Sequence, residues 1–338
     1  MARTNERIEA RFYHREGTGY RCDLCPHRCH IEPGQYGRCG TRRADDDMLV
    51  AYSYGKVSSL CVDPVEREPL YHFRPGSRCF SVGSIGCNLH CDYCENYAIS
   101  QLETGKKRTT YLGPQGLVSL CRQERQSAIA FTYNEPMVWF EYIMDVARID
   151  PDLDILLITN GMLEEEPLIE LCSVASAVNM DIKSFSDTFY RNICGGRLED
   201  VLHSASIVHE RGVHLELTYL VIPDMNDSDE EVGRFCRWVR DSLSPDVPVH
   251  FKRFHPDNRM TDAQWTPSES VMRCRDIGLD SGLDYVYVGN TLSDGADDTY
   301  CPECGAVLVR RLGYLVDIVS LDGPRCMACR HDTGIVRR

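Results

Sequence analysis

The sequence predicts an α/β protein in which a partial (β/α) barrel is flanked by small N-terminal and C-terminal cysteine-rich segments that bind metals. From about residue 79, short apolar runs alternate with amphipathic segments, which is the pattern of a parallel sheet covered by helices. Most of the 18 cysteines fall into three groups, one ahead of the barrel, one at its first strand and one behind it. The segments expected from this pattern are 1–75, 76–295 and 296–338.

Composition restricts the class of protein further. The chain has 338 residues, 43% of them hydrophobic, and a formal net charge of -14, which argues against a large contact with a nucleic-acid backbone. It has no run of about 18 apolar residues, and its polar start is unlike a signal peptide. We therefore expect a cytoplasmic protein without a membrane segment, whose cysteines stay reduced and bind metals rather than form disulfides.

The predicted barrel consists of seven strand candidates, each next to a helix candidate. The strands are 80–83, 128–133, 154–159, 177–182, 214–222, 249–254 and 285–288. The clearest helix is 229–243, where apolar residues recur at helical spacing behind Ser228, a typical N-cap. Six or seven such units suit a partial or full barrel, and these barrels collect their functional side chains at the carboxyl ends of the strands.

Three cysteines follow the first predicted strand, namely Cys87, Cys91 and Cys94 in the spacing C-x3-C-x2-C. Three thiolates leave one corner of a 4Fe-4S cubane open, because such a cluster usually takes four cysteines. The open iron would be free to bind another ligand. A zinc site that lacks one ligand, or a disulfide with a spare thiol, is the alternative, and both normally use even numbers of ligands.

Polar residues follow the other predicted strands, and all of these strand ends lie on one rim of the barrel. They include Thr132, Asn134, Glu135, Asn160, Asp181, Lys183, Lys252 and His255. Residues i and i+2 of a strand share a face, so Asp181 and Lys183 point the same way. As an exposed ion pair they would contribute only about 0–1 kcal/mol, which is the structural alternative to a ligand-binding role.

Two pairs of cysteines near the end of the chain indicate a zinc ribbon. Cys301 with Cys304, and Cys326 with Cys329, form C-x2-C knuckles separated by 21 residues. Four thiolates around one zinc ion can fold a segment that is too small for its own core. A rubredoxin-like iron site is the alternative.

The N-terminal group of cysteines does not identify its metal. Its members, in C-x2-C-x3-C-x9-C spacing, are Cys22, Cys25, Cys29 and Cys39, with His27 and His30 as substitute ligands. Zinc and an iron–sulfur cluster both accept four thiolates, so the spacing leaves both open. A second cluster would bring electrons into the protein, whereas zinc would make the segment a lid.

Six short segments spread over nearly the whole chain carry a family resemblance. They are Cys-Asp-Leu-Cys-Pro-His-Arg-Cys at 22–29, Asp-Pro-Val-Glu-Arg-Glu-Pro-Leu-Tyr-His-Phe at 63–73, the cysteine trio with Glu95 and Asn96, Phe-Thr-Tyr-Asn-Glu-Pro at 131–136, Asp-Ile-Lys-Ser-Phe at 181–185 and Arg-Phe-His-Pro at 253–256. Together they resemble the radical S-adenosylmethionine (SAM) enzyme of the AmmeMemoRadiSam system, a relative of the pyruvate formate-lyase activating enzymes.

The resemblance implies a role for each group of rim residues. The cysteine trio would hold a 4Fe-4S cluster whose open iron binds the amino and carboxylate groups of SAM. Asn134 and Glu135 would hold the SAM amino group. Asp181 and Lys183 would contact the methionyl end of SAM.

Four more positions are interpreted from the same resemblance. Tyr93 would lie near the adenine, with loop packing as the alternative. His255 would face SAM or substrate, or cap the rim. Glu95 stands where many relatives have glutamine, which places a negative charge near the cluster and would lower its potential. Asp224 stands where a glycine is common.

The resemblance also implies the activity. We expect a one-electron donor such as ferredoxin or flavodoxin to reduce the cluster, SAM to be cleaved, and the 5'-deoxyadenosyl radical to remove hydrogen from an unidentified organic substrate. One alternative is the activating enzyme of a glycyl radical enzyme. A second is a non-catalytic iron–sulfur and zinc protein for electron transfer or docking. The family name also implies an association with Memo-type and AMMECR-type proteins.

Overall fold

A computed structural model describes residues 7–101, 109–290 and 295–337 of the chain. Its N-terminal segment is an assembly of short strands. They are β1 (Tyr13–Glu16), β2 (Gly19–Cys22), β3 (His30–Ile31), β4 (Arg42–Ala44), β5 (Leu49–Ala51), β6 (Lys56–Val57) and β7 (Ser59–Pro64). Strands β1, β2 and β3 form one antiparallel sheet, while β4 and β5 form a separate pair. Strand β7 leaves this segment and joins the barrel.

In the described ranges, the central sheet has eight strands, and seven of them are parallel. The barrel region contains β8 (Arg78–Gly83), β9 (Thr110–Tyr111), β10 (Ala128–Phe131), β11 (Asp154–Thr159), β12 (Ala175–Asp181), β13 (His214–Val221), β14 (Val249–Arg253) and β15 (Val286–Gly289). The order β15-β14-β13-β12-β11-β10-β8-β7 follows the chain, and β9 pairs with β6 instead. Strand β7 runs antiparallel to β8 along the outer side of that strand.

The predicted fold class is confirmed: the protein has an α/β barrel with a mostly parallel sheet. All seven predicted strands exist, with bounds within two residues of those expected. The inner strands are near-continuous apolar runs because both of their faces are covered, as in the fully buried Ala-Ile-Ala-Phe of β10. Strand β7 was not predicted, because its residues are largely half-exposed and the run ends at Pro64.

Helices cover the outside of the sheet. They are α1 (Tyr97–Ser100), α2 (Pro114–Gln123), α3 (Phe140–Ile149), α4 (Glu165–Cys172), α5 (Asp187–Phe189), α6 (Leu198–Glu210), α7 (Asp229–Trp238) and α8 (Ser268–Asp280). The predicted helix 229–243 is α7 continued by a π-helical turn, Val239–Leu243, and Ser228 accepts a hydrogen bond from the Glu231 amide as its N-cap. Within the described ranges, no helix is long and apolar enough to cross a membrane.

The C-terminal segment is a small ribbon with little apolar core of its own. Its strands are β16 (Thr299–Tyr300), β17 (Val307–Leu312), β18 (Leu315–Ile318), β19 (Leu321–Asp322) and β20 (Arg325–Cys326). Its buried apolar cluster contains two of the four knuckle cysteines beside Leu308, Val309 and Ile335. So small a cluster leaves much of the ribbon's stability to whatever the cysteines bind.

A buried polar network joins the amino ends of the strands to the segment before β8. Glu216 on β13 is fully buried and accepts hydrogen bonds from the backbone amides of Tyr71 (2.9 Å) and His72 (2.7 Å). It also binds the rings of His214 (2.9 Å) and His250 (2.7 Å). Burial would raise the pKa of Glu216, but these histidine contacts hold it well below its usual range.

Candidate active site at the carboxyl ends of the strands

One cavity of about 710 Å³ opens at the carboxyl ends of the parallel strands. It brings together nine residues singled out from the sequence, namely Cys87, Cys91, Tyr93, Cys94, Asn134, Glu135, Asp181, Lys183 and His255. The two outer cysteine groups lie outside it. These residues lie together because the carboxyl ends of parallel strands all lie on one rim of the barrel.

The loop that carries the cysteine trio is fastened by the backbone of a distant segment. The amide of His90 donates to the Cys194 carbonyl (2.8 Å), and the amide of Asp92 donates to the Ile193 carbonyl (3.0 Å). The Cys91 carbonyl also accepts hydrogen bonds from the side-chain amides of Gln101 (3.1 Å) and Asn258 (3.2 Å). These bonds fix the position of the loop using protein atoms alone.

The surroundings of the trio fit an iron–sulfur cluster. The Leu89 amide (3.3 Å) and the Asn160 side-chain amide (3.5 Å) point at the Cys87 sulfur. The Ser100 hydroxyl lies 3.3 Å from the Cys94 sulfur. Burial raises the pKa of the Cys87 and Cys94 thiols, so thiolates at these positions need a bound cation beside them.

Asn134 and Glu135 lie directly behind the trio, where Tyr133 turns the chain with φ 71°. The Asn134 side chain accepts from the Ser84 amide (2.9 Å) and donates to the Gly86 carbonyl (2.8 Å), on the approach to Cys87. Both residues face the cavity, and Asn134 also shapes the loop.

The Glu135 carboxylate accepts hydrogen bonds from three donors within the described part of the chain. They are the Asn160 amide (2.8 Å), the Thr159 hydroxyl (2.7 Å) and the Met137 amide (2.9 Å). Burial raises the pKa of Glu135 to about 7, against the effect of these hydrogen bonds. A carboxylate offers about four lone-pair positions, so one is left for an ammonium group.

Asp181 and Lys183 form an ion pair of 2.7 Å at the end of β12. Burial would lower the pKa of Lys183, but the charges of Asp181 and Cys91 raise it overall, so the ammonium group stays protonated. The Lys183 amide donates to the Tyr190 hydroxyl (2.9 Å), which fixes the backbone. Glu231, near the start of α7, accepts hydrogen bonds from Ser184 and from the Phe185 amide, and so anchors the next two residues.

Tyr93 and His255 stand on the same side of the cavity. The Tyr93 ring is buried, with its centroid 6.2 Å from that of Phe189 and 6.4 Å from that of Phe254. The His255 ring lies 3.4 Å from the Glu95 carboxylate and 5.5 Å from the Trp265 ring. Both side chains offer flat surfaces beside the trio.

Sequence reasoning gave no role to several residues that the structure places in or beside this site. Asn160 and Lys252 were recognised only as rim residues, yet Asn160 contacts a trio sulfur, and burial lowers the pKa of Lys252. The Cys194 sulfur lies 3.7 Å from the Tyr93 hydroxyl. Cys194 and Ser100 carry no spacing signal, because their partners are supplied by folding.

The C-terminal cysteines form a compact group. The sulfurs of Cys301 and Cys329 are 3.5 Å apart, those of Cys304 and Cys326 are 3.7 Å apart, and all four lie within 4.8 Å of one another. A zinc ion with bonds of about 2.3 Å to four thiolates places them about 3.8 Å apart. The donor set and its spacing therefore fit one tetrahedral ion.

The N-terminal cysteines line a second, small cavity together with His27, Arg38 and Arg42. His30 is not free to act as a substitute ligand, because its ring nitrogens contact Glu16 (2.7 Å) and Glu32 (2.9 Å). The His27 ring instead binds the Asn88 carbonyl (2.8 Å).

Comparisons with known proteins support the class of protein that the fold indicates. The family described as the Radical SAM superfamily matches residues 82–236. The uncharacterized protein MJ0808 of Methanocaldococcus jannaschii is 37% identical over 333 residues, covering 97% of this chain and 99% of that protein. Pyruvate formate-lyase 1-activating enzyme of Escherichia coli is 27% identical over 173 residues, which is 49% of this chain and 70% of that enzyme.

The barrel and its cysteine loop define a class of iron–sulfur enzymes that use SAM. Within that class, the chain belongs to the radical SAM superfamily, whose members hold a 4Fe-4S cluster and SAM. Among solved structures, a radical SAM methyltransferase from Sphaerobacter thermophilus aligns with a TM-score of 0.49 at 17% identity, covering 68% of this chain and 70% of that one.

Proposed function

We propose that the protein is a radical SAM enzyme that removes a hydrogen atom from an organic substrate bound in the 710 Å³ cavity. The observation that carries the proposal is the meeting of the cysteine trio with Asn134, Glu135, Asp181 and Lys183 around one cavity. A protein that only transfers electrons through its cluster has no need of these additional charged groups beside it.

In this proposal the chain's own residues bind and orient the reactants. The cluster and SAM supply the radical chemistry when they are bound. Glu135 offers its remaining lone pair to the SAM amino group, while Lys183, kept charged by Asp181, faces the SAM carboxylate. Tyr93 and His255 provide the walls beside the adenosyl group. Lys252, at the end of β14, is left on the substrate side of the cavity, where burial lowers the pKa of its ammonium group.

The test is SAM cleavage under anaerobic conditions. The full chain is reconstituted with iron and sulfide, given SAM and dithionite, and 5'-deoxyadenosine is measured by mass spectrometry. Cys91→Ala should abolish the product, whereas Cys61→Ala, at an exposed cysteine outside the cavity, should leave it unchanged. SAM that stays intact beside a fully loaded cluster, together with unchanged SAM affinity in Asp181→Ala, would favour the electron-transfer or docking protein.

The similarity to pyruvate formate-lyase 1-activating enzyme supports a second candidate, in which the substrate is a glycine of a glycyl radical enzyme. The two candidates differ in the product that carries the radical. Incubation with a glycyl radical enzyme encoded beside this chain should give a glycyl electron paramagnetic resonance (EPR) signal if the protein is an activase. If 5'-deoxyadenosine forms without that signal, the substrate is another molecule.

We also propose that the protein is the radical SAM member of the AmmeMemoRadiSam system, on the basis of the six segments quoted above. Its partners would then include Memo-type and AMMECR-type proteins and a ferredoxin or flavodoxin. The C-terminal cysteines would hold a structural zinc ion, as their spacing suggests. Co-purification of the separately tagged proteins tests the partnership.

A further inference from the structure

Four cysteines of the N-terminal segment line a buried cavity that the proposed reaction does not use. They are Cys22, Cys25, Cys29 and Cys39, of which three are buried and one is half-buried. We propose that these cysteines bind a second iron–sulfur cluster rather than zinc. The site itself is independent of the proposed function, and only the electron route argued below rests on it.

Sulfur spacing is the first argument. Throughout the described ranges, the C-terminal quartet is the one group of three or more Cys, His, Asp or Glu ligand atoms that lie within 4.8 Å of one another. No three of the N-terminal sulfurs come that close, although zinc would bring four of them to about 3.8 Å. A cubane places its thiolates on four separate irons and therefore needs wider spacing.

The same chain supplies a reference for both kinds of site. The C-terminal quartet has the spacing expected for a single ion, whereas the Cys87, Cys91 and Cys94 sulfurs, at the site where the family holds its 4Fe-4S cluster, do not lie within 4.8 Å of one another. The N-terminal sulfurs resemble those of the trio in this respect, because no three of them lie within 4.8 Å of one another. One protein thus contains a compact cysteine site and two expanded ones.

Arg42 supplies the second, independent argument. It lines the cavity, is only 1% exposed, and uses one guanidinium nitrogen for Glu141 at 2.8 Å. Its Nε and Nη2 atoms are buried and have no hydrogen-bond partner among the residues that the structure describes. Buried donors require acceptors, and a cluster offers its inorganic sulfides as well as its thiolates, whereas a zinc site offers its thiolates alone.

The position of the site suggests what a second cluster would do. The carbonyl of Cys39 packs against Gly86, where an added Cβ would come within 2.4 Å of it, and Gly86 precedes Cys87. His27, from the same cavity, binds the Asn88 carbonyl. One electron from a ferredoxin- or flavodoxin-type donor would reduce the outer cluster, which would pass it to the trio's cluster and return to its oxidised state.

The deciding experiment removes the trio and asks whether iron remains. The full chain carrying Cys87→Ala, Cys91→Ala and Cys94→Ala is purified anaerobically and reconstituted with iron and sulfide. We expect about four iron atoms and four sulfides per chain, a Mössbauer spectrum of a cluster, and an EPR signal after reduction by dithionite. Adding Cys25→Ala and Cys29→Ala should remove this iron, while Cys301→Ser with Cys304→Ser should remove only zinc.

Loss of all iron from the trio variant, with about two zinc ions per chain, would overturn the proposal. One iron without sulfide would overturn it too. Because the trio variant leaves the N-terminal segment intact, the result does not depend on whether the five-cysteine variant folds. In the trio background, Arg42→Lys keeps the charge but removes two donors, so the potential of the remaining cluster should fall. An unchanged potential contradicts cluster sulfur as the acceptor.

Discussion

At the residue scale, Asn160 connects the two halves of the candidate active site. Its backbone amide binds Glu135, and its side chain donates to Asn88 (2.9 Å) and lies 3.5 Å from the Cys87 sulfur. Its side-chain oxygen accepts from the Met162 amide (2.9 Å). One residue at the end of β11 thus positions both a cysteine proposed to bind the cluster and a carboxylate proposed to bind SAM.

We expect Asn160→Asp to reduce SAM cleavage by about 10–100-fold, as for other outer partners of metal ligands. Aspartate keeps the acceptor for Met162, but it replaces the donor that faces Cys87 with a negative charge, which lowers the cluster potential. A redox titration followed by EPR measures the shift. The control is Asn192→Asp, the same change at an exposed residue. Equal potentials in the two variants would contradict the assigned role.

The sequence was most informative about residues that act as a local motif. The trio, Asn134 with Glu135, and Asp181 with Lys183 are each close in sequence, so spacing alone predicted that they belong together. The partners of the trio could not be found in this way. Asn160 is 73 residues from Cys87 and Cys194 is 101 residues from Tyr93, so these contacts exist only after the barrel folds.

At the scale of elements, the strands were predicted well and the edge of the sheet was not. Buried parallel strands are mostly apolar, so their composition identifies them without a partner. Strand β7 has half-exposed residues, and its pairing with β8 is decided by that neighbour rather than by its own pattern. Asp224 adopts φ 61°, in the left-handed region that favours glycine, which is consistent with the glycine that the family resemblance led us to expect there.

The C-terminal ribbon leads to a prediction about its metal. We expect Cys326→Ala to remove the zinc and unfold the ribbon. The segment has only a small apolar core, so the metal ion held by four thiolates would supply most of its stability. Zinc content and limited trypsin cleavage after Arg310 and Arg325 report the change. Iron content should stay constant.

Met327→Ala is the matched control for the ribbon, since this neighbouring side chain is 60% exposed. It should keep both its zinc and its resistance to trypsin. If Cys326→Ala remained as resistant as Met327→Ala, the ribbon would be folded by its side chains rather than by a metal ion.

At the scale of the whole molecule, the Glu216 network joins parts that are distant in sequence. It ties β13 and β14 to Tyr71 and His72, and the His72 ring contacts the Tyr287 hydroxyl at 2.6 Å. Arg311 from the ribbon donates to the Tyr71 carbonyl at 2.8 Å. Sequence patterns gave no sign of this junction, because a buried polar group at a strand's amino end has no periodic signature.

This junction makes stability depend on pH. Burial lowers the pKa of His72 from 6.5 to about 3. Between pH 3 and pH 6.5 the unfolded chain therefore binds more protons than the folded one. The stability that neutral His72 contributes is fully present above pH 6.5 and is lost as the pH falls toward 3. Lowering the pH from 7.5 to 5.5 should therefore reduce the free energy of unfolding by about 1.4 kcal/mol through His72 alone.

His72→Gln should remove this part of the pH dependence of the free energy of unfolding, because glutamine does not titrate. Anaerobic urea unfolding at pH 7.5 and 5.5 compares the variant with the unmodified protein. His203→Gln, whose side chain is 59% exposed, should show the full loss on acidification. The same loss in His72→Gln would mean that other groups govern the acid sensitivity.

The backbone bonds from residues 193 and 194 to the trio's loop tie the site to the barrel. Because the Cys194 and Ile193 carbonyls hold the His90 and Asp92 amides, the loop keeps its shape only while the turn at Tyr190–Cys194 stays folded. The ribbon is the opposite case, since its few buried apolar residues leave the position of its knuckles to whatever the cysteines bind.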